Sequence, residues 1–172
     1  MSSPEISLKP FGDADSPVLF ALVDANRPQL QKFWWEAATQ NADDSRRFIQ
    51  AVIADEDYDG RPTRGIWLQD RLIGVGSVHS IDWELGSAAL GYWIDKDHQG
   101  NGYATETVRQ LSQLAFNVLG LRTVTISCRA NNFGSRSVAE KAGFRLAGVD
   151  GEATWRAEQI EGEIAHYKLI VT

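Results

Sequence analysis

The spacing of apolar side chains changes along the chain and divides it into a helical first part and a part dominated by strands. Up to about residue 54, apolar residues recur at intervals of three and four, the period of an amphipathic helix. The elements predicted there are a short strand at 5–10 and helices at 13–26, 28–35 and 44–53. From residue 64, short apolar runs alternate with turns, which is typical of strands. These predicted strands span 64–69, 71–81 and 87–95.

A long helical pattern follows the three strands. It begins at Tyr103 and ends near Leu119, where Gly120 predicts a C-terminal cap. The elements predicted after it are a strand at 122–128, a short helix at 132–142 and a final hairpin of 144–157 with 163–171, turning at 159–162. The acidic stretch 55–60 is predicted to be a solvated turn. Because the sequence shows no repeat and no linker-like segment, the pattern predicts one α+β domain over residues 1–172.

The charge balance and the single cysteine exclude several classes of protein. The 172 residues include 17 Lys and Arg against 23 Asp and Glu, a formal net charge of −6. Non-specific nucleic-acid binding depends on basic residues that contact phosphate, so we expect no nucleic-acid partner. No apolar run reaches the roughly 18 residues of a membrane span, and the N-terminus does not resemble a secretory signal. The one cysteine, Cys128, fits a reducing compartment, so we expect a cytoplasmic protein without a membrane partner.

The most informative segment is a strand, a glycine loop and a helix in direct succession. The predicted strand ends in Gly-Tyr-Trp-Ile at 91–94, and Gln-Gly-Asn-Gly-Tyr-Ala follows at 99–104, where the next helix begins. The first N–H groups of a helix have no intrahelical acceptor, and the helix dipole favours an anion beside them. The segment therefore predicts a phosphate-binding loop, although its spacing is that of neither the dinucleotide fingerprint nor the Walker loop.

A second motif lies about thirty residues further on. Asn-x-x-Ser at 132–135 opens a short helix that ends in Glu-Lys-Ala-Gly-Phe at 140–144, directly after a predicted strand. The two motifs in this order resemble the GCN5-related N-acetyltransferase (GNAT) superfamily. Further segments at 6–10, 22–27, 30–34 and 79–82 are similar to its Rim-type branch. That branch contains bacterial enzymes that acetylate the N-terminal amine of ribosomal proteins, and relatives that act on other amines.

The resemblance implies the GNAT fold, which is a mixed, mostly antiparallel sheet of six or seven strands with a splayed central strand pair and four or five flanking helices. It also implies acetyl-CoA as the acetyl donor and no metal, with the pantetheine arm held in the gap of the splayed pair. The implied donor-binding residues are Trp93 and Ile94 at the thioester carbonyl, Gln99, Gly100, Asn101, Gly102, Tyr103 and Ala104 at the pyrophosphate, and Asn132 at the pantetheine arm.

The resemblance also implies Ser135 as the general acid that protonates the departing thiolate. The alternative for Ser135 is a helix-start serine that bonds its own backbone. The resemblance does not identify the general base, because the two positions where the branch carries glutamate hold Leu90 and Thr154 here. Glu152 is the first candidate, and the others are Asp82, Glu84, His79 and a water chain. The sequence further predicts His98 as a solvent-facing side chain and Cys128 as a small buried one.

The acceptor end is expected to be rich in aromatic side chains. Its predicted residues are Asn26, Arg27, Phe33, Trp34, Trp35, His79 and Trp155. The Phe-Trp-Trp run at 33–35 is either an aromatic wall for the acceptor or an anchor of its helix to the sheet. Three functions stay open at this point: acetylation of a protein N-terminus, acetylation of a small amine (a polyamine, an aminoacyl compound or an antibiotic), and non-catalytic binding of acyl-CoA. A homodimer is a further expectation from the family.

Overall fold

A computed structural model describes residues 5–31, 38–150, 153–155, 158–160 and 162–172 of the chain. The helices are α1 (Ser16–Ala25), α2 (Arg27–Leu30), α3 (Ala42–Asp59), α4 (Tyr103–Gln113) and α5 (Phe133–Lys141). The strands are β1 (Ser7–Pro10), β2 (Thr63–Leu68), β3 (Arg71–Asp82), β4 (Ser87–Ile94), β5 (Thr123–Arg129), β6 (Arg145–Asp150), β7 (Ala153–Trp155), β8 (Glu158–Ile160) and β9 (Ile164–Ile170). Within these described ranges, no helix is long and apolar enough to cross a membrane.

Seven of the strands form one mixed sheet in the order β1-β2-β3-β4-β5-β9-β6, and β7 and β8 form a separate two-stranded ribbon. Strands β4 and β5 pair in parallel, while β1–β2, β2–β3, β5–β9 and β6–β9 pair antiparallel. The predicted mixed sheet of six or seven strands with four or five helices is therefore confirmed, with seven strands in the main sheet and five α-helices among the described residues.

The chain divides into two compact units. The first unit comprises Met1–Ser77 and Tyr92–Thr107, and the second comprises Val78–Gly91 and Val108–Thr172. In the first unit, helices α1 and α3 bury one apolar face against the sheet. Its largest core cluster contains Phe11, Leu19, Leu22, Val23, Leu30, Ile49, Leu72 and Val75. In the second unit the buried apolar residues include Val108, Leu111, Val124, Ile126, Ala139 and Tyr167.

Two local predictions are wrong. The acidic stretch 55–60 is not a turn, because α3 continues to Asp59 and ends where Gly60 adopts a left-handed conformation, with φ of 68°. Arg64 holds Glu56 of this last part of the helix through two hydrogen bonds of 2.7 Å, which offsets the crowding of acidic side chains. In the final hairpin the predicted antiparallel pairing is confirmed between β6 and β9, but the turn is misplaced because β7 and β8 pair with each other between these two strands. The predicted turn at 159–162 therefore begins inside strand β8.

Two predicted helices differ from the structure mainly at their ends. The first begins with a 3₁₀ turn at Asp13–Asp15 before α1. The long helix from Tyr103 changes to a π-helical segment, Leu114–Val118, where the Leu119 N–H bonds to the Leu114 carbonyl at 3.1 Å. Gly120 follows with φ of 70°, as its predicted role as a C-terminal cap requires. The predicted helix at 28–35 begins as α2, and its second half lies outside the described residues.

Candidate active site

In the first unit, the chain leaves β4 and enters a glycine loop that ends at the N-terminus of α4. Gly100 and Gly102 have φ of 78° and 82°, a conformation that glycine adopts without the strain a side chain brings. An ideal Cβ built on Gly100 meets no heavy atom within 4 Å, so the space above this residue is open. The Glu106 N–H bonds to the Gly102 carbonyl at 3.1 Å, which starts the α4 ladder at the loop. The loop and the helix start therefore form an anion-binding geometry.

A buried polar network fixes the backbone between β4 and this loop. Asn26 has no exposed surface. Its Nδ2 donates to Asp95 Oδ1 and to the Leu22 carbonyl, each at 2.8 Å, and its Oδ1 accepts the Lys96 N–H at 2.9 Å. Asn26, which the sequence analysis assigned to the acceptor end, is therefore buried. Its amide holds the segment that enters the glycine loop.

Glutamine side chains extend this network to the end of β4. Gln29 Nε2 donates to the Ile94 carbonyl at 3.0 Å, and Gln99 Nε2 donates to Gln29 Oε1 at 2.8 Å. In the loop itself, Asn101 Nδ2 bonds to the carbonyls of His98 and Gln99 at 3.2 and 3.1 Å. Gln99 and Asn101 thus use their side chains to shape the loop, which leaves its backbone as the part suited to an anion.

His98 lies inside this network, not out in solvent, so its predicted placement is wrong. Its side chain is 15% exposed, and its Nδ1 lies 2.7 Å from Asp95 Oδ2. The ring also lies 6.5 Å from the ring of Tyr103, the first residue of α4. The reason is the 3₁₀ turn at Lys96–His98, in which the His98 N–H bonds back to the Asp95 carbonyl and turns the ring inward.

The pKa of the Asp95 carboxyl is lowered. Burial by itself raises this pKa, but hydrogen bonds from Asn26 and His98, together with the charge of His98, reverse the effect. A carboxyl whose pKa is depressed on folding stabilises the protein above its ordinary pKa of about 3.9 and loses that contribution as the pH falls through the folded value.

We therefore predict that Asp95→Asn lowers the free energy of unfolding by about 1–2 kcal/mol at pH 7, since charged hydrogen bonds are lost. The deficit relative to wild type should persist down to about pH 3.9, the ordinary pKa of an aspartate, and shrink below it, where wild-type Asp95 with its lowered pKa is itself protonated. Urea unfolding across this range measures it. Asp97→Asn, at an exposed position two residues on, is the matched control. A deficit that is independent of pH would contradict the role of the Asp95 charge.

In the second unit, the β4–β5 ladder is short. It joins Ser87–Ala89 to Thr123–Thr125, and the Thr125 hydroxyl lies 3.4 Å from the Ala88 carbonyl as an additional contact. Both strands continue past the last pair, through Leu90 on β4 and Ile126 on β5. Leu90 is at one of the two positions where the Rim-type branch carries glutamate. It is 3% exposed and belongs to the core.

The start of α5 brings Asn132 and Ser135 together. Asn132 is the N-cap residue, and its Oδ1 accepts the Ser135 N–H at 3.1 Å. Burial raises the pKa of the Cys128 thiol on β5, and hydrogen bonding from the Ser135 side chain and the nearby Arg136 charge offset only part of the increase. Cys128 is therefore a protonated, partly buried thiol that marks the position of the Ser135 hydroxyl beside β5.

Three side chains that the sequence did not single out form a chain of contacts across β5, β9 and β6. Ser127 Oγ lies 2.8 Å from His166 Nδ1, and His166 Nε2 lies 2.9 Å from Asp150 Oδ2. The residues are distant in sequence and lie on strands whose pairing is long-range. The only signal that points to them is register, since Ser127 is opposite His166 in the β5–β9 pair.

The remaining predicted residues are distributed as follows. Arg27 bonds to Asp24 at 2.7 Å and to the Thr39 carbonyl at 2.9 Å, and His79 Nδ1 lies 3.0 Å from the Ser80 hydroxyl. Asp82 accepts the Leu85 N–H at 2.8 Å and shapes the β3–β4 turn. The residues Phe33, Trp34, Trp35 and Glu152 lie outside the described residues, while Thr154 and Trp155 are described only as part of strand β7.

Comparison with known proteins gives consistent matches. Residues 5–145 match the family model described as an acetyltransferase (GNAT) domain. The ribosomal-protein-serine acetyltransferase of Escherichia coli (strain K12) is 31% identical over 131 residues, which cover 76% of this chain and 73% of that protein.

Among solved structures, the microcin C7 self-immunity acetyltransferase MccE in complex with acetyl-CoA and AMP superposes with a TM-score of 0.88. It is 26% identical, and the match covers 97% of this chain and 93% of that chain. The ribosomal L7/L12 α-N-protein acetyltransferase RimL in complex with coenzyme A gives a TM-score of 0.87 at 24% identity, over 98% and 96% of the two chains, and supports the fold.

Proposed function

Because this chain belongs to the acetyltransferase (GNAT) domain family, we propose that it transfers the acetyl group of acetyl-CoA to the N-terminal α-amine of a ribosomal protein. The assignment of acetyl-CoA as the donor is supported by the glycine loop, where two left-handed glycines precede helix α4 and the Gly100 backbone faces open space. The acceptor rests on the Escherichia coli relative, whose name states acetylation of a ribosomal-protein serine. A cytoplasmic location belongs to the same proposal.

In this proposal the backbone N–H groups of the glycine loop and of the first turn of α4 bind the pyrophosphate of acetyl-CoA. Asn132 binds the pantetheine arm, and a backbone N–H of Trp93 or Ile94 polarises the thioester carbonyl. The network of Asn26, Asp95 and His98 holds the loop in position. Positioning of this kind lowers the barrier because the reacting groups are ordered before the reaction begins.

The transfer itself needs a neutral amine and a stabilised leaving group. The amine nitrogen attacks the thioester carbon, the tetrahedral intermediate collapses, and the C–S bond breaks to release coenzyme A as a thiolate. Ser135 is proposed to donate a hydrogen bond or its proton to that sulfur. The neighbouring Cys128 thiol supports this role, because the Ser135 side chain lowers its pKa by hydrogen bonding and so already acts on a sulfur atom.

We predict that Ser135→Ala lowers kcat about tenfold or more while leaving the affinity for coenzyme A within about threefold, because the serine acts on the departing sulfur. Steady-state kinetics together with calorimetric titration of coenzyme A measure the two quantities. Ser137→Ala, two residues further along α5, is the matched control and should keep wild-type kcat. An unchanged kcat in Ser135→Ala would remove the serine from the reaction.

A second candidate acceptor is a small amine attached to a nucleotide. It is favoured by the MccE structure, which is a complex with acetyl-CoA and AMP and whose match covers 97% of this chain. The test is thiol release from acetyl-CoA with peptides that carry ribosomal-protein N-termini, aminoacyl nucleotides, polyamines and aminoglycosides. Turnover confined to peptides would support the proposed acceptor, while turnover confined to aminoacyl nucleotides would replace it. Binding of acetyl-CoA without turnover on any amine would instead indicate a non-catalytic binding module.

A further inference from the structure

We propose that Ser127 and His166 form a proton relay that removes the proton from the acceptor ammonium, with Asp150 holding the imidazole. The three residues lie on neighbouring strands of the second unit, in the order β5, β9, β6. Ser127 Oγ is 2.8 Å from His166 Nδ1, and His166 Nε2 is 2.9 Å from Asp150 Oδ2. This inference rests on the proposed acetyl transfer and names the missing base of that reaction.

The relay requires that Nδ1 be the ring nitrogen that accepts the proton, so it uses the tautomer with the hydrogen on Nε2. Nε2 is buried and lies 2.9 Å from Asp150 Oδ2 without the alignment of a hydrogen bond, so Asp150 acts on the ring through its charge. Nδ1 then carries the lone pair and accepts the Ser127 hydroxyl hydrogen. The serine oxygen keeps its own lone pairs for a donor that approaches from outside, such as an ammonium group. In this arrangement the imidazole acts as the base and the Ser127 hydroxyl connects it to the substrate.

The relay lies on the face of β5 opposite to that of Ser135. Side chains alternate along a strand, so Ser127 shares a face with Thr125, the last β5 residue paired with β4, while Cys128 points to the other face. Cys128 contacts Ser135, so the proposed proton donor for the thiolate is on that other face. The reaction needs one group that accepts a proton and another that donates one. Because the two groups lie on opposite faces of β5, the base does not take the proton of the acid.

The surroundings suit the uptake and later loss of a proton. Among the described residues, the charged groups on this face of the neighbouring strands are Asp150 and Arg145 on β6, Arg129 on β5 and Lys168 on β9. Of these groups, the Asp150 carboxylate lies 2.9 Å from the imidazole. The side chains of His166 and Asp150 are 33% and 71% exposed, so water reaches parts of both side chains, although Nε2 itself is buried.

The proton balance is complete without any further reactant. The ammonium passes one proton to Ser127 Oγ as the serine hydroxyl hydrogen moves to His166 Nδ1, which gives a neutral amine and an imidazolium. The amine nitrogen then attacks the thioester carbon and the C–S bond breaks. One of the two N–H protons of the amine ends on the coenzyme A sulfur, and the amide product keeps the other. The imidazolium then releases its proton to water before the next turnover.

The test compares His166→Gln and Ser127→Ala with Lys168→Gln, an exposed neighbour on the same face of β9. We expect kcat at pH 7 to fall about 100-fold in the two relay variants, the lower end of what general bases contribute. The Michaelis constant for acetyl-CoA should stay within about threefold, and Lys168→Gln should keep wild-type kcat. Asp150→Asn should give a smaller loss of about tenfold, because it removes only the support of the imidazole.

The pH profile separates a relay from a structural role. An α-amine has a pKa of about 8, so at pH 9 it is neutral without help, and the deficit of His166→Gln should shrink from about 100-fold to under about tenfold. A deficit that is equal at all pH values would overturn the relay, as would wild-type kcat in His166→Gln at pH 7. Acetyl-serine at position 127, seen by mass spectrometry of trapped enzyme, would also overturn it by making Ser127 a nucleophile.

The kinetics are run with whichever amine the wild-type protein acetylates. Turnover of a small amine alone would therefore refute the ribosomal acceptor while leaving the relay fully testable. Absence of turnover with every amine would refute both. Loss of coenzyme A binding in His166→Gln would indicate a structural role for the histidine and would contradict the relay.

Discussion

Gly74→Ala is expected to lower the free energy of unfolding by about 3 kcal/mol, at the upper end of the cost of overpacking. An alanine Cβ at this position of β3 would lie 2.2 Å from the Trp93 carbonyl oxygen and 3.3 Å from the Ile94 Cα, both backbone atoms of β4. A third contact, with Ile66 Cδ1 at 3.1 Å, leaves little room on the remaining side. The backbone of β4 would have to move, and with it the segment proposed to contact the thioester. Urea unfolding at pH 7 measures the loss.

Gly148→Ala is the matched control for Gly74→Ala. Gly148 also lies in a strand, but no heavy atom is within 4 Å of its ideal Cβ, and its φ is not in the left-handed region. Its variant should stay within about 1 kcal/mol of wild type, since alanine at a compatible site mainly restricts the unfolded chain. Equal stabilities of the two variants would contradict the close packing of β3 on β4.

Gly100→Val is expected to weaken coenzyme A binding about 100-fold, or about 2.7 kcal/mol at 1.36 kcal/mol per factor of ten. With φ of 78°, Gly100 holds a conformation that costs other residues about 1–2 kcal/mol and is a genuine outlier for a β-branched one. The open space over this residue is where the pyrophosphate is proposed to bind, so a valine side chain would also obstruct the ligand. Calorimetric titration of coenzyme A measures the effect.

The control for Gly100→Val introduces the same backbone strain at a glycine outside the proposed pyrophosphate site. Gly120 has φ of 70° and equally open space around its ideal Cβ, but it ends the helical segment at the far end of α4. Gly120→Val should therefore destabilise the protein similarly and leave the affinity for coenzyme A unchanged. A pantetheine fragment that lacks the pyrophosphate should bind wild type and Gly100→Val alike. Equal coenzyme A affinities of both glycine variants would exclude the loop as the anion site.

Local sequence patterns predicted the parts of this protein that are encoded locally. The Gly120 cap, the short helix after Asn132 and the succession of β3, β4 and β5 follow from neighbouring residues, and all are present in the structure. The resemblance to the GNAT superfamily and to its Rim-type branch is confirmed by the family match and by the Escherichia coli relative.

Long-range pairing is what the sequence could not reveal. Asn26 and Asp95 are 69 residues apart, and Ser127 and His166 are 39 apart, yet each pair is in hydrogen-bond contact. A polar side chain such as Asn26 is indistinguishable in sequence from a substrate ligand until its partners are known. Similarly, His166 gains a role only through the register of β5 and β9, because a shift of one residue would move its side chain to the other face of the sheet.

The most direct test of the proposed function compares one peptide in two forms. A synthetic peptide with a ribosomal-protein N-terminus is incubated with acetyl-CoA and the protein, beside the same peptide with its α-amine blocked and a lysine left free. We predict that intact-mass and fragment-mass measurements show one added acetyl group on the α-amine of the first peptide and none on the second. Acetylation of the blocked peptide at lysine, or of neither peptide while an aminoacyl nucleotide is acetylated, would contradict the proposal.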